Sequence, residues 1–201
     1  MRSDREHPLF AWFYETLSSL PERFGSDQMR SRLVTGVSGR VLEVGVGNGL
    51  TLRYYDAAVQ VVAIEPDPNM LRHAIPRAKA ASARVSLITA DGEQLPFKPA
   101  SFDAVVVCLV LCTIPDASAA LEELHRVIRP GGRLHFVEHV RAEGNMTAAF
   151  QDWIDPYWSH AFGGCHPTRD TAGTLRKAGF KVEDVQAGWN GIFIRGFAVA
   201  A

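Results

Sequence analysis

Several features of secreted, zinc-stapled or membrane-spanning proteins are missing from this sequence of 201 residues. The cysteines number only 3, and no CxxC pair occurs, which argues against a disulfide framework and a structural zinc site. No apolar run reaches the roughly 18 residues of a membrane-spanning helix, and the polar start lacks the pattern of a signal peptide. These absences predict a soluble cytoplasmic protein without a metal.

An excess of basic charge is also missing, because the formal net charge is -1. Proteins that bind nucleic acid usually carry a basic surface that displaces counterions, so no nucleic-acid partner is expected. The length is sufficient for one domain with a sizeable core and too short for an additional full substrate domain. Nothing in the sequence indicates an oligomeric state.

Short apolar runs alternate with helical patterns from residue 40 onward, which predicts a Rossmann-like, doubly wound α/β fold with a mostly parallel sheet. Seven strands are predicted, at Arg40–Val44, Gln60–Ile64, Val85–Thr89, Phe102–Cys108, Arg133–Val140, Phe180–Ala187 and Ile192–Val199. The short connection between the last two strands predicts an antiparallel hairpin. Pro130-Gly131-Gly132 is expected to end a helix over 116–129 and to turn the chain into the fifth strand. A helical stretch over 145–162 is expected to break at Pro156.

The first 36 residues precede the predicted sheet, so we divide the chain into an N-terminal helical cap, 1–36, and a single main domain, 37–201. Apolar side chains recur at helical spacing between Leu9 and Leu20. This segment could pack on the domain, cover a substrate site, or lie on a membrane surface. The membrane interpretation is not favoured, because the polar face is not rich in lysine and arginine.

A glycine-rich loop follows the first strand and reads Glu43-Val44-Gly45-Val46-Gly47-Asn48-Gly49. Glycines at such a turn let the backbone approach a ligand closely. The spacing differs from the dinucleotide fingerprint, whose third glycine comes one position later. Glu43 would repel a pyrophosphate but suits a ligand with a positive end. S-adenosylmethionine carries an ammonium group and a sulfonium, and it fits this requirement.

Acidic residues also follow the next two predicted strands. Glu65 ends the second strand, where an acidic side chain can reach ribose hydroxyls. Asp91-Gly92-Glu93 follows the third strand, where a carboxylate can accept a hydrogen bond from an adenine amino group. Because ligands bind at the carboxyl ends of parallel strands, these residues are expected at one edge of the sheet.

Five stretches together resemble the class I S-adenosylmethionine-dependent methyltransferases, in the branch that includes the ubiquinone/menaquinone C-methyltransferases. They read VLEVGVGNG, AIEPDPNML, ADGEQLPF, SFDAVVVCLVLCTIPD and LHRVIRPGGRLHFVEH. The resemblance implies a methyltransferase that uses S-adenosylmethionine and releases S-adenosylhomocysteine. It implies these cofactor contacts: Glu43, Gly45, Gly47, Asn48, Gly49, Glu65, Pro66, Met70, Asp91, Gly92, Glu93, Cys108 and Leu109.

The C-terminal third resembles the alkyl thiol S-methyltransferases in Gln151, Asp155-Pro156, Trp158, Phe162, Gly164-Cys165 and Thr168-Arg169-Asp170-Thr171. This resemblance favours methylation of a small, fairly hydrophobic thiol. Those relatives carry an N-terminal membrane anchor, whereas this chain has only the amphipathic segment. Phosphatidylethanolamine N-methylation, quinone-type C-methylation and a non-catalytic binding module remain as alternatives.

Two histidines are candidates for a base or an acceptor contact, since histidine titrates near neutral pH. His139 ends the fifth strand, and His166 lies in the turn after Cys165. Tyr14, Trp158 and Cys165 are predicted to contact the methyl acceptor. No covalent role is expected for Cys165, because direct methyl transfer needs no enzyme-bound intermediate.

Overall fold

The computed structural model describes residues 26–200, so Tyr14 and the segment Leu9 to Leu20 lie outside the described residues. The helices are α1 (Ser26–Leu33), α2 (Pro68–Ala80), α3 (Ala117–Val127), α4 (Asn145–Ala161) and α5 (Thr171–Lys177). The strands are β1 (Arg40–Val44), β2 (Gln60–Ile64), β3 (Arg84–Ile88), β4 (Phe102–Cys108), β5 (Ile128–His139), β6 (Phe180–Gly188) and β7 (Phe193–Ala200). Short 3-10 turns occupy Leu52–Tyr54 and Trp189–Gly191.

All seven strands form one sheet in the order β3-β2-β1-β4-β5-β7-β6. Neighbouring strands from β3 to β5 are parallel, and β7 is antiparallel to both β5 and β6. The predicted α/β class and the antiparallel C-terminal hairpin are therefore confirmed. The order changes direction between β1 and β4, and ligands bind at such a switch point in open α/β sheets.

Two apolar cores lie on the two faces of the sheet. Alternate residues of each central strand enter opposite cores, because side chains of a strand point to opposite faces. Leu42 and Val105 belong to one core, whereas Val41 and Val106 belong to the other. Both faces being covered explains why β1 and β4 are almost continuously apolar.

Helices begin at side-chain caps that the sequence supplies. Asp67 accepts a hydrogen bond from the Asn69 N–H at the start of α2, and Asp116 accepts from the Ser118 and Ala119 N–H groups at α3. Such caps satisfy backbone donors that have no partner inside the helix. They fix where each helix starts beside the carboxyl edge of the sheet.

Several predicted bounds differ from the structure by one residue, and two differences are larger. The helix expected to reach residue 129 ends at Val127, and Pro130-Gly131-Gly132 lies inside β5, where the pairing with β4 shifts register. The glycines accommodate this irregularity, with φ of +75° at Gly131. Helix α4 also does not break at Pro156 but continues to Ala161. Among residues 26–200, no helix has the length and apolar character needed to cross a membrane.

Candidate functional site

The glycine loop after β1 has a backbone that other residues would adopt only with strain. Gly45, Gly47 and Gly49 have φ of +65°, +55° and +85°. A Cβ on Gly45 would lie 2.6 Å from Val110 Cγ2, so β1 and the turn after β4 approach each other at this glycine. Two reasons therefore favour glycine at position 45: its positive φ strains other residues, and a Cβ would collide with Val110.

A cavity of about 480 Å³ opens at this edge of the sheet, at the switch between β1 and β4. Its size is typical of a site for a small organic ligand. The loops after β1, β2, β3 and β4 line one part of the cavity. The end of β5, the last turn of α4 and the residues directly after α4 line the other part. The lining residues used below are Arg30, Glu43, Gly45, Gly47, Asn48, Glu65, Pro66, Asp67, Met70, Asp91, Gly92, Cys108, Leu109, Val110, His139, Trp158, Phe162 and Cys165.

Glu43 contributes a buried carboxyl group to the cavity. Its residue is only 1% exposed, and Oε2 has no hydrogen-bond partner. Burial raises the pKa of Glu43 to about 7, although the hydroxyls of Tyr55 and Thr51 and the charge of Arg30 act in the opposite direction. A buried charge without a full set of partners is costly, so this carboxylate favours a cationic ligand.

Glu65 connects the glycine loop to the start of α2. Its Oε2 accepts a hydrogen bond from the Gly47 N–H at 2.9 Å, and its Oε1 accepts from the Asp67 N–H at 3.1 Å. Burial raises the pKa of Glu65. Each carboxylate oxygen can accept more than one hydrogen bond, so the group retains capacity for a ligand hydroxyl.

The other predicted cofactor residues lie around the same end. Met70, from α2, faces Gly47, where a Cβ would come within 3.3 Å of Met70 Cε. Asp91 and Gly92 line the cavity after β3. Leu109, after β4, has φ of +60°, which is unusual for a bulky residue and marks local strain at the cavity wall.

Three predicted site residues lie away from the cavity lining. Gly49 backs onto α2, where a Cβ would lie 3.1 Å from the Ala74 backbone. Glu93 turns toward α3 and accepts from the Asp116 N–H at 2.8 Å. His166 Nδ1 lies 2.9 Å from Asp155 Oδ2. We therefore leave these three out of the candidate site.

The opposite end of the cavity brings together His139, Cys165 and Trp158, which the sequence had singled out separately. Cys165 Sγ lies 3.3 Å from His139 Nδ1 and 3.5 Å from Cys112 Sγ. The hydrogen bond with Cys112 lowers the pKa of the Cys165 thiol and raises that of Cys112, and His139 lowers the Cys165 pKa further. Trp158 stacks on Phe162 with ring centroids 4.0 Å apart.

Glu138 was not predicted as a functional residue, yet it fixes the turn between the two ends of the cavity. Its Oε1 accepts from the Val110 and Leu111 N–H groups, each at 2.9 Å, and its Oε2 accepts from the Cys112 N–H at 3.0 Å. The residue is fully buried, and burial raises its pKa despite these three donors. The sequence signal that could have pointed to Glu138 is an acidic residue within a mostly apolar part of a strand.

Glu138→Gln is expected to destabilise the protein by about 2–3 kcal/mol. The side-chain NH2 group of glutamine would face a buried backbone N–H at a place where a carboxylate oxygen now accepts a hydrogen bond. The thermal midpoint should fall by about 5–10 °C in scanning calorimetry. Glu143→Gln, at an exposed position, is the matched control and should leave the midpoint unchanged. An unchanged midpoint for Glu138→Gln would contradict this role.

Residues of the C-terminal resemblance hold the second end in place. Gln151 donates to the Val140 and Pro167 carbonyls, and Arg169 donates to the Leu111 and Ile114 carbonyls. Asp155 accepts from Thr168 as well as lying beside His166. These residues bind the segment after α4 to the turn after β4.

Four buried side-chain polar atoms in the described part of the chain lack a hydrogen-bond partner. Two belong to cavity residues, namely Glu43 Oε2 and Trp158 Nε1. Buried polar groups are nearly always satisfied, so such atoms call for a ligand or water. One is an acceptor on β1, and the other is a donor on α4 that approaches the Cys165 thiol.

The sequence is similar to known methyltransferases. A family model described as a methyltransferase domain matches residues 42–136. Thiol S-methyltransferase TMT1A of Homo sapiens is 36% identical over 162 residues, covering 76% of this chain and 66% of the relative. Thiol S-methyltransferase TMT1B of Rattus norvegicus is 34% identical over 161 residues, covering 77% and 65%. The chain thus spans slightly less than two thirds of the length of these two relatives.

A solved structure of an S-adenosylmethionine-dependent methyltransferase from Aquifex aeolicus has the same fold. It superimposes with a TM-score of 0.65 at 19% identity, covering 86% of this chain and 89% of the other.

Proposed function

Because residues 42–136 match a methyltransferase domain model and the relatives above are thiol S-methyltransferases, we propose that the protein belongs to this family and transfers a methyl group from S-adenosylmethionine to a small, fairly hydrophobic thiol. The observation that carries the proposal is one cavity lined both by a buried carboxyl group, Glu43, whose Oε2 has no hydrogen-bond partner, and by the aromatic and sulfur side chains around Cys165. The carboxyl group suits a cation, and the aromatic and sulfur side chains suit an apolar thiol.

The cofactor end has the chemistry that S-adenosylmethionine requires. Glu43 would pair with its ammonium group through the carboxylate oxygen that has no hydrogen-bond partner in the protein. Glu65 and Asp67 would accept hydrogen bonds from ribose hydroxyls, and Asp91 would accept from the adenine amino group. When bound, the cofactor supplies a methyl group already activated by its sulfonium.

The remaining cofactor contacts come from apolar and backbone groups. Met70 and Pro66 would pack on the nucleoside, and Asn48, Gly92, Cys108 and Leu109 would surround it with backbone. The N-terminal part contributes as well, because Arg30 of α1 lines the cavity. This supports the proposed division into a cap over 1–36 and a main domain over 37–201, with the cap contacting the ligand.

The acceptor end favours an apolar thiol. Trp158 and Phe162 form an aromatic wall, and His139 stacks against Phe193 with centroids 4.2 Å apart. Holding the acceptor close and aligned can supply roughly 7–11 kcal/mol of the barrier. A thiol has to lose its proton, and the polar groups available here are His139 Nδ1, Cys112 and Cys165. The names of the two thiol S-methyltransferase relatives support the same acceptor class.

A turnover screen tests this proposal. Purified protein and S-adenosylmethionine are incubated with alkanethiols, phenols, quinols, amines and phosphatidylethanolamine vesicles, and released S-adenosylhomocysteine is measured. We expect turnover with alkanethiols and at least about tenfold lower kcat/KM with the other classes. Turnover confined to vesicles or quinols would replace the thiol by the corresponding alternative. Cofactor binding in calorimetry without turnover of any acceptor would indicate a binding module.

A further inference from the structure

Three potential metal ligands meet at the acceptor end of the cavity, and they come from three different parts of the chain. Cys112 lies in the turn after β4, His139 ends β5, and Cys165 follows α4. The distances are 3.5 Å between the two sulfur atoms, and 3.3 Å and 3.9 Å from His139 Nδ1 to Cys165 Sγ and Cys112 Sγ. All three ligand atoms lie within 4.8 Å of one another.

These distances match the edges of a tetrahedral zinc site. With Zn–S near 2.3 Å and Zn–N near 2.0–2.1 Å, tetrahedral geometry places ligand atoms about 3.5–3.8 Å apart. We propose that Cys112, His139 and Cys165 bind a zinc ion and that its fourth coordination position faces the cavity. His139 and Cys165 line the cavity whereas Cys112 lies behind them, so the uncovered side of the group faces the cavity.

The ligand set itself points to an open site. Structural zinc sites have four protein ligands, whereas two cysteines and one histidine leave a position for water or substrate. A disulfide between the two cysteines does not describe this geometry, because bonded sulfur atoms lie about 2.05 Å apart. Both are free thiols at 3.5 Å.

The loops that carry the two cysteines are fastened to each other, so the group is held together before any ion binds. The His166 N–H donates to the Cys112 carbonyl at 2.8 Å, and Arg169 donates to the Leu111 carbonyl at 2.6 Å. Glu138 holds the Cys112 N–H from the other side. Outer contacts of this kind are what orient the ligands of a metal site.

This ion would deepen the proposed function, on which the following step rests. An acceptor thiol that takes the fourth position releases its proton to solvent and remains bound as a thiolate. Its sulfur forms a bond to the methyl carbon, while the carbon–sulfur bond of the sulfonium breaks and its electron pair stays on the departing sulfur. No oxidant or reductant is needed. His139 and the two cysteines are ligands in this scheme and take no proton.

Metal analysis of the full chain tests the site directly. Protein is produced without a polyhistidine tag, kept reduced with a phosphine, and analysed by plasma mass spectrometry after dialysis. We expect about one zinc per chain, and a Kd below about 1 μM when metal-free protein is titrated with zinc. Absence of saturable zinc binding by the reduced wild-type protein would overturn the proposal.

Substitutions assign the ligands. Cys112→Ser, Cys165→Ser and His139→Gln should each lower the bound zinc by at least about tenfold. Cys108→Ser is the matched control, since it removes a nearby cysteine outside the group and should leave the metal content unchanged. Cobalt-loaded wild-type protein should show sulfur-to-metal charge-transfer absorption, and an added alkanethiol should alter its tetrahedral d–d bands. Normal zinc content in Cys165→Ser with retained fold would contradict the assignment.

The two proposals can fail separately. Zinc binding without methylation of any thiol would remove the proposed function and keep the metal site. Thiol methylation at full rate by metal-free protein, checked for residual zinc, would keep the function and overturn the part of the ion in methyl transfer.

Discussion

Gly45→Ala is expected to reduce the affinity for S-adenosylmethionine by at least about 100-fold. The new Cβ would lie 2.6 Å from Val110 Cγ2 and 3.0 Å from its Cγ1. The residue would also have to keep φ at +65°, which costs roughly 1–2 kcal/mol for an L-amino acid. The collision forces β1 and the turn after β4 apart at the centre of the cofactor end. Isothermal titration calorimetry with S-adenosylmethionine measures the loss.

A matched control and a rescue accompany this variant. Gly144→Ala adds the same methyl group at a position where nothing lies within 4 Å and the backbone is ordinary, so affinity should be unchanged. Adding Val110→Ala to Gly45→Ala removes the nearest collision and should restore part of the affinity. Wild-type affinity in Gly45→Ala would show that the ligand does not use this loop.

Glu43→Gln is expected to weaken cofactor binding by about 100-fold while making the ligand-free protein more stable near neutral pH. The neutral amide keeps the shape of the side chain but cannot pair with an ammonium group. It also removes a buried carboxylate whose Oε2 has no partner. Calorimetric titration measures the first effect and denaturant unfolding the second. A variant that only folds poorly would lose both cofactor affinity and stability. A loss of affinity together with a gain in stability therefore identifies the effect of the Glu43 charge.

The pH dependence of stability isolates the same group. The folded pKa of about 7 exceeds the ordinary value of 4.5, so the unfolded chain ionises Glu43 first as the pH rises. Wild-type stability should therefore fall relative to Glu43→Gln between about pH 4.5 and 7, by on the order of 3 kcal/mol. Below that window both forms are neutral and the difference should be absent. A constant difference across this window would contradict the raised pKa.

The parts of the molecule governed by local sequence were predictable. The bounds of β1, β2 and β4 match the predictions residue for residue, because short apolar runs are bounded by clear turn residues there. The glycine spacing and the acid before it also located a loop that lines the cavity. The fifth strand was predicted to begin at Arg133, since Pro130 and two glycines are typical of a turn. It begins at Ile128, because Ile128 pairs with Phe102 and the strand resumes its pairing with β4 at Arg133 after the irregularity.

The contacts that shape the acceptor end could not be predicted, because they join residues far apart in the chain. Glu138 reaches donors 26 to 28 positions away, and Cys112 and Cys165 are separated by 53 positions. No spacing rule connects such residues before the topology is known. Their place in the motif predicts ligand contacts for Gly49 and Glu93, whereas in the structure Gly49 packs on Ala74 and Glu93 accepts a hydrogen bond from the Asp116 N–H.

The residues that line the two ends of the cavity come from separate stretches of the chain. This separation allows substitutions at one end to leave the other end unchanged. Apart from Arg30, the residues at the nucleoside end lie between Glu43 and Leu109, whereas Trp158, Phe162 and Cys165 come from the last quarter. Substitutions at the cavity-lining positions of that quarter should alter the acceptor end more than the nucleoside end. A chimera that exchanges only residues 139–170 with a relative should therefore inherit the relative's choice of acceptor and keep its own cofactor affinity.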